Sequence, residues 1–358
     1  MSLGVKKDQM TAKERMAAVM KGEPYDRVPC GLFIGDHSAK LIGAKVSELH
    51  TNLDKLVEAE LAAHRIYDTE GTRVSPGLCG FPEALGCKAV YPDDGTPYIS
   101  EFAIQEYSDL DRIERPDPKK SARLPMIIKA AEILVEKIGD KVPVGSGVVG
   151  PFTVAGNTRG TEKLMRDLRQ NPEFVHRLLR LTTDTVIDYV KEIAKLGVSI
   201  GIGDPTASGT LISRKHFIEF ALPYLTEVTD AIIEHTGRPP QLHICGNTKG
   251  IWKEMADSGA GMLSLDDVID LEEAKKTVGH RVVLMGNIRP TQTMYLGTPA
   301  DVEENAKECL RKAYDTPKGY VLALGCGLPL NAPSENVHAV LHSARKYGQY
   351  PLNPANFT

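Results

Sequence analysis

The sequence predicts an α/β chain folded as a (β/α)8 TIM barrel, with an N-terminal helical extension and a hairpin insertion after strand 2. Three observations lead there. Eight short apolar runs alternate with amphipathic stretches, and a helical pattern follows every run. Most of the runs are β-branched or Leu-rich and bounded by Gly, Pro or Asn, as buried parallel strands are. Neither a Pro/Ser-rich linker nor a G-x-G-x-x-G helix opening divides the chain into two doubly wound halves. One domain over residues 1–358 is expected, with 1–25 as the extension.

Thr11-Ala12-Lys13-Glu14 has the pattern of a capping box, and Gly22 is placed to end the short helix it opens. Met1, Ser2 and Leu3 read as a foreign remnant ahead of it. Strands are predicted at 27–34, 71–75, 142–149, 198–203, 241–245, 261–266, 281–286 and 320–326. Asn52 opens a stripe of Leu53, Leu56, Val57, Glu60, Leu61 and His64 at helical spacing. An excursion over 81–103 with hairpin-like pieces separates the second strand from a helix around 127–138. Asn171-Pro172 joins an N-cap to a first-turn proline, opening a long helix that runs to Leu196. Ser213 starts another to about His235, and weaker segments follow at 249–258, 271–278, 299–314 and 334–346.

Composition narrows the function classes. The 43 Lys+Arg against 47 Asp+Glu are too balanced for a nucleic-acid or anionic-membrane footprint, and no basic tract or acidic tail offsets them. Six cysteines in 358 residues are too sparse for a disulfide scaffold, and no signal-peptide apolar core stands at the start. The longest charge-free stretch, 142–158, is broken by Gly, Pro, Ser, Thr and Asn and cannot form a spanning helix. A soluble, cytoplasmic chain is expected, binding neither nucleic acid nor membrane.

In such a barrel the chemistry belongs at the C-terminal ends of the strands. Strand five ends Leu242-His243-Ile244-Cys245-Gly246-Asn247, which puts His243 and Cys245 on one face. Strand eight ends Leu324-Gly325-Cys326-Gly327, and closure brings Cys326 to the same mouth although it lies 81 residues from Cys245. One imidazole and two thiolates suit zinc, and three protein ligands leave a fourth position open. Two thiolates offset the ion's charge, so a bound water is poorly acidified, whereas a substrate thiol binds as an electron-rich thiolate. The chemistry indicated is activation of a thiol nucleophile rather than hydrolysis. The other reading of the same residues is that buried free cysteines are small hydrophobes.

The two strand ends are accompanied by Asp26-Arg27-Val28-Pro29, Glu83-Ala84-Leu85-Gly86, Val149-Gly150-Pro151-Phe152-Thr153, Asp204-Pro205-Thr206-Ala207-Ser208, Gly286-Asn287-Ile288 and Pro333-Ser334-Glu335-Asn336. With these motifs the chain resembles the uroporphyrinogen decarboxylase superfamily, and more closely its corrinoid-dependent methyltransferase branch. The resemblance runs through nearly the whole chain. It implies zinc held by His243, Cys245 and Cys326, and methyl transfer between methylcobalamin on a partner corrinoid protein and a zinc-activated acceptor. Coenzyme M is the acceptor that fits thiol activation best. Tetrahydrofolate is an alternative acceptor, and a methylated substrate donating to the corrinoid is the alternative direction.

The decarboxylase branch carries an arginine-rich stretch soon after the first strand. Here Gly31-Leu32-Phe33-Ile34-Gly35-Asp36-His37-Ser38 contains none, and a tetrapyrrole rich in carboxylates needs several cationic partners. Uroporphyrinogen decarboxylase is therefore the second reading, and a non-catalytic binder of a corrinoid protein the third.

Four further residues are candidates. Asp266 ends strand six, where the resemblance implies a fourth zinc ligand in the resting state; a helix cap is the other reading. Asp204 ends strand four and either serves the acceptor or a metal ligand, or shapes a turn. Glu83 is a candidate substrate contact in the excursion, and Asn287 either binds substrate or closes its loop. Cys30, Cys79, Cys87 and Cys309 lack ligand spacing and read as ordinary thiols, and His216 and His235 as surface or packing residues.

Overall fold

In the computed structural model residues 7–357 are described; Met1, Ser2 and Leu3 lie outside them. Eight strands form one sheet: β1 (Cys30–Gly31), β2 (Thr72–Val74), β3 (Val144–Val149), β4 (Ser199–Gly203), β5 (Gln241–Ile244), β6 (Met262–Leu265), β7 (Val283–Ile288) and β8 (Tyr320–Leu324). Their order is β1-β8-β7-β6-β5-β4-β3-β2, with every hydrogen-bonded pair parallel. Helices follow each strand, among them Leu53–Tyr67, Leu124–Ile138, Pro172–Ala194, Leu222–Thr236, Trp252–Asp257, Leu271–Val278, Pro299–Ala313 and Ser334–Tyr347. This is the (β/α)8 barrel. The insertion after β2 holds a helix, Gly77–Ala84, and an antiparallel hairpin of Lys88–Val90 with Tyr98–Glu101.

The first strand is far shorter than its apolar run predicts. At the β1–β2 seam the Cys30 amide donates to Glu70 Oε2 at 3.0 Å instead of to a strand. Pro29, one residue earlier, has no N–H to give. A side chain thus stands in for the missing ladder.

Most strand residues that face the helices are apolar; Thr72 and Ser146 are exceptions, bonded to Glu60 and Tyr189 of the helices behind them. Leu242, Ile244, Leu263, Leu265, Leu284, Leu322 and Leu324 are buried in the main core. The inward face is lopsided. On β6, β7 and β8, Met262, Val283, Met285, Val321 and Ala323 cluster with Val19 of the N-terminal helix Ala12–Lys21, which plugs that part of the lumen. On β3 and β4 the inward row instead carries Gly147, Gly201 and Gly203, which register against Gln241 and His243 of β5. That side of the lumen is bare.

The plug helix is capped as its sequence predicts. The Thr11 hydroxyl accepts from the Glu14 amide, and Gly22 ends the helix in the left-handed region. Arg15 Nε donates to Asp26 Oδ1 at 2.7 Å and Arg27 Nε to Asp8 Oδ1 at 2.7 Å, so the extension is tied down through buried cations.

Two helical features depart from the expected pattern. Pro151–Arg159 and Thr161–Gln170 are helices not among those predicted from the sequence, although Leu164 and Leu168 of the second stand at helical spacing. The first is buried on nearly every side, so it has no polar face to set a period. The helix expected from Ser213 to about His235 contains a π turn at Phe217–Ala221, just before Pro223, which has no amide hydrogen to donate. No helix among the described residues is long and apolar enough to cross a membrane.

Candidate metal centre

His243, the third residue of β5, faces inward between Gly203 of β4 and Ser264 of β6. Cys245 follows β5 by one residue and Cys326 follows β8 by two, so both thiols stand on the lip, just past the ladder. The donor atoms of the three side chains lie within 4.8 Å of one another. Cys245 Sγ is 3.3 Å from His243 Nε2 and 3.9 Å from Cys326 Sγ. Tetrahedral zinc, with bonds of about 2.3 Å to sulfur and 2.0 Å to nitrogen, spaces such donors roughly 3.8 Å (S to S) and 3.5 Å (N to S) apart. The donor set fits a zinc ion with one position left open. Among the described residues no other His, Cys, Asp and Glu side chains gather in this way.

The surroundings prepare each ligand. His243 Nδ1 lies 3.1 Å from both the backbone oxygen and the hydroxyl of Ser264. Donation to that carbonyl keeps the proton on Nδ1 and turns the Nε2 lone pair toward the thiols. The Cys245 thiol, then the His243 imidazole, hold Cys326 well below the usual thiol range. The same contact with Cys326, followed by burial, pushes Cys245 up. The two thiols share one contact, so the pair gives up one proton well before the second.

The loop carrying Cys245 is fixed at several points. Ser208 Oγ donates to the Cys245 carbonyl at 2.6 Å. Gly246 adopts a φ of +73°, and a Cβ there would meet Thr210 Oγ1 at 2.7 Å, so glycine is needed on both counts.

The four other candidates sit as follows. Asp266 accepts from the Gly246 amide at 2.7 Å and the Val268 amide at 3.2 Å, binding the Cys245 loop to the end of β6. It stands outside the group of three donors, and the cap of helix Leu271–Val278 is Asp270. Asp204 is completely buried; its Oδ1 accepts from the Thr153 amide at 2.8 Å and the Thr153 hydroxyl at 2.6 Å. It thereby caps helix Pro151–Arg159 from a neighbouring strand, since Gly150 has no side chain to do so. Burial raises the Asp204 carboxyl to about 6.

Glu83 accepts from the Tyr91 hydroxyl at 2.8 Å, and that ring stacks on His50 and lies against Arg123. It belongs to a polar cluster of the insertion, apart from the three donors. Asn287 Nδ2 donates to the carbonyls of Asp266 at 2.9 Å and Ile269 at 2.7 Å, which closes the loop after β6. Burial pushes Cys30, Cys79, Cys87 and Cys309 up, the second and fourth to about 11, in keeping with unreactive thiols. His216 lies edge-on to Phe220 and His235 is exposed.

Sequence reasoning passed over Ser264 and Arg73. Arg73 is the middle residue of β2, inside the barrel, and its signal was a lone charge between two buried strand positions. Ser264 had no signal of its own beyond its inward phase on β6.

The barrel and this donor set define a chain of one known kind. Residues 11–347 match the uroporphyrinogen decarboxylase (URO-D) family, and the chain belongs to that family, in its corrinoid-dependent methyltransferase branch. It is 30% identical over 344 residues to the methylcobamide:CoM methyltransferase MtbA of Methanosarcina mazei, covering 95% of this chain and 99% of that one. Identity to the methylcobamide:CoM methyltransferase MtaA of Methanosarcina barkeri is also 30%, over 345 residues, with 95% and 99% covered. The solved structure of a methyltransferase from Methanosarcina mazei superimposes with a TM-score of 0.86 at 29% identity, covering 94% of this chain and 98% of that one.

Proposed function

We propose that this protein is a zinc-dependent methyltransferase that moves a methyl group between a corrinoid protein and a thiol acceptor of the coenzyme M kind. The observation that carries the reading is the tetrahedral spacing of His243, Cys245 and Cys326 at the barrel mouth, with the imidazole already oriented by Ser264. The names of the relatives, methylcobamide:CoM methyltransferases, support the same donor and acceptor.

A bound zinc would let a thiol bind as its thiolate near neutral pH. His243 and Cys245 would hold it from β5 and Cys326 from β8, two anionic donors keeping the acceptor sulfur electron-rich. Asp266 and Ser208 hold the Cys245 loop still while the open position is filled. The acceptor thiol gives its proton to solvent, and its sulfur takes the methyl carbon. The electron pair of the broken carbon–cobalt bond stays on the corrinoid. In this reading Asp204, Asp266 and Asn287 position the site, and Glu83 shapes the insertion. A cytoplasmic enzyme working as one barrel domain is part of the same proposal.

Methylcobalamin consumption measured against a panel of acceptors tests it. Methylation of 2-mercaptoethanesulfonate is the expected result, with about one zinc per chain by elemental analysis. Calorimetry in buffers of different ionisation enthalpy should count about one proton released per thiol bound. Methyl transfer to tetrahydrofolate with no thiol methylated would replace the acceptor. Coproporphyrinogen formation without bound metal would restore the decarboxylase reading.

A further inference from the structure

The bare side of the lumen holds a cation that, among the described residues, has no hydrogen bond or ion pair, although the Glu60 charge acts on it from nearby. A Cβ on Gly147 would lie 2.5 Å from Arg73 Nη2 and 2.9 Å from its Nε, and one on Gly201 would lie 3.6 Å from Nη2. The guanidinium therefore rests on the glycine rows of β3 and β4. Its other flank faces the Phe33 ring, 5.5 Å from Cζ to the centroid. Gln241 Oε1 is 3.6 Å from the same Cβ position on Gly201, which sets that side chain beside the cation.

Among the described residues the Arg73 guanidinium makes no hydrogen bond and no ion pair, and the Gln241 amide makes none either. The nearby Glu60 carboxylate is committed elsewhere: it accepts from the Thr72 hydroxyl at 2.5 Å and the Arg73 backbone amide at 3.4 Å. Burial draws Arg73 down to about 10, which leaves it charged at neutral pH. An arginine carries five N–H donors, and this one, half-buried in the lumen, keeps its donors free for a ligand. Glycine at 147 keeps the space it needs; a methyl group there would displace it. The arrangement makes sense as half of a complex.

The missing half is anionic, and its distance from the metal centre is set by β5. Gln241 and His243 are two residues apart on the same inward row, about 7 Å along the strand. A ligand whose sulfur sits with His243, Cys245 and Cys326 would reach the guanidinium with an acid group roughly two or three carbons away. We propose that Arg73, with Gln241 beside it, clamps the acid group of a short ω-thiol acid and so selects the methyl acceptor. This rests on the thiol-acceptor reading above. Sulfonate and carboxylate share the required chemistry.

The test is equilibrium binding to the zinc-loaded protein, read by calorimetry and by zinc X-ray absorption. The probes are 2-mercaptoethanesulfonate, 3-mercaptopropionate and the uncharged 2-mercaptoethanol, with ethanesulfonate offered to the metal-free protein. Parent protein should bind the acidic thiols at least about tenfold more tightly than mercaptoethanol, the size of effect a charged hydrogen bond supplies. The Arg73→Gln and Gln241→Leu variants should shrink that preference, with mercaptoethanol binding unchanged, and Arg73→Lys should restore part of it. The stronger of the two acidic thiols identifies the anion. Ethanesulfonate binding to the metal-free parent but not to Arg73→Gln supports the clamp without reference to the metal.

Equal affinity of parent protein for acidic and uncharged thiols overturns the clamp, and that comparison needs no variant to fold. If mercaptoethanol still adds a sulfur to the zinc shell in that case, the thiol site stands and only the clamp falls. If no thiol adds a sulfur, the thiol-acceptor reading fails and the proposal with it.

Discussion

His243 comes to the site with one ring nitrogen committed. Its Nδ1 faces a backbone carbonyl and a hydroxyl of the same residue, Ser264, at equal distances of 3.1 Å. The carbonyl cannot be removed by mutation, so Ser264→Ala should leave the tautomer in place and weaken zinc by less than about tenfold, below the usual range for losing an outer partner. Cys326→Ala leaves two ligands and should release most of the metal from a still-folded barrel. Competition with a chromophoric chelator would compare the two variants. If they lose zinc equally, the hydroxyl and not the carbonyl orients the ring. Arg73 shows the same dependence of a residue on its surroundings. Its charge was visible in the sequence, but its lack of a partner follows only from glycines on two other strands.

Strand ends, more than single ligands, set the geometry of the mouth. Gly325 lies where the end of β8 crosses the end of β6: a Cβ there would be 2.5 Å from the Asp267 amide nitrogen. Gly327, on the other side of Cys326, would place its Cβ in open space. Gly325→Ala should push the two lips apart, at a cost of about 1–3 kcal/mol, and carry Cys326 away from Cys245. Gly327→Ala should keep both stability and zinc, and equal zinc loss from the two would mean that lip contact does not place Cys326. A second element is held by Glu60, which joins helix Leu53–Tyr67 to β2 through Thr72 and the Arg73 amide. Burial pushes its carboxyl up to about 7 from an ordinary 4.5. The folded chain then keeps a proton that the unfolded chain gives up. Stability should fall by roughly 3 kcal/mol as pH rises from 4.5 to 7 and level off above. Glu60→Gln, which retains an acceptor oxygen, should lose this slope in urea unfolding at pH 5 and 8; an unchanged slope would assign it to other groups. What was legible in the sequence follows from the same physics. Buried strands announce themselves as apolar runs, and a cap such as Asn171, accepting from the Phe174 amide, acts within a few residues of its own helix. The helix Pro151–Arg159 was hidden because it is buried all round, and its cap, Asp204, comes from a strand fifty-one residues on.

Among the described residues the barrel lumen is filled at one end by the plug helix. Val19 and the inward side chains of β6 to β8 close the lumen from below, and the glycine-lined side opens toward the lip that carries the three donors. In the proposed function the methyl donor approaches from that lip. The segments that surround it expose large apolar side chains: Leu78 after β2, Leu211 after β4, Val268 after β6 and Leu296 after β7, the last two 65% and 70% exposed. Scattered apolar residues on a surface need no cause, but four in the segments that follow strands at the functional end suit the dry centre of a protein interface. A corrinoid protein docking there would bury them, whereas free methylcobalamin brings no protein surface to cover them. Leu211→Glu and Leu296→Glu together should therefore lower kcat/KM at least about tenfold with the corrinoid protein as methyl source, the loss expected for charging a buried contact. With free methylcobalamin the same double variant should match the parent. Added salt should not restore the lost rate, because the missing contact is apolar and not a screened charge. Equal losses with both methyl sources would place the defect inside the barrel and leave the docking face elsewhere on the molecule.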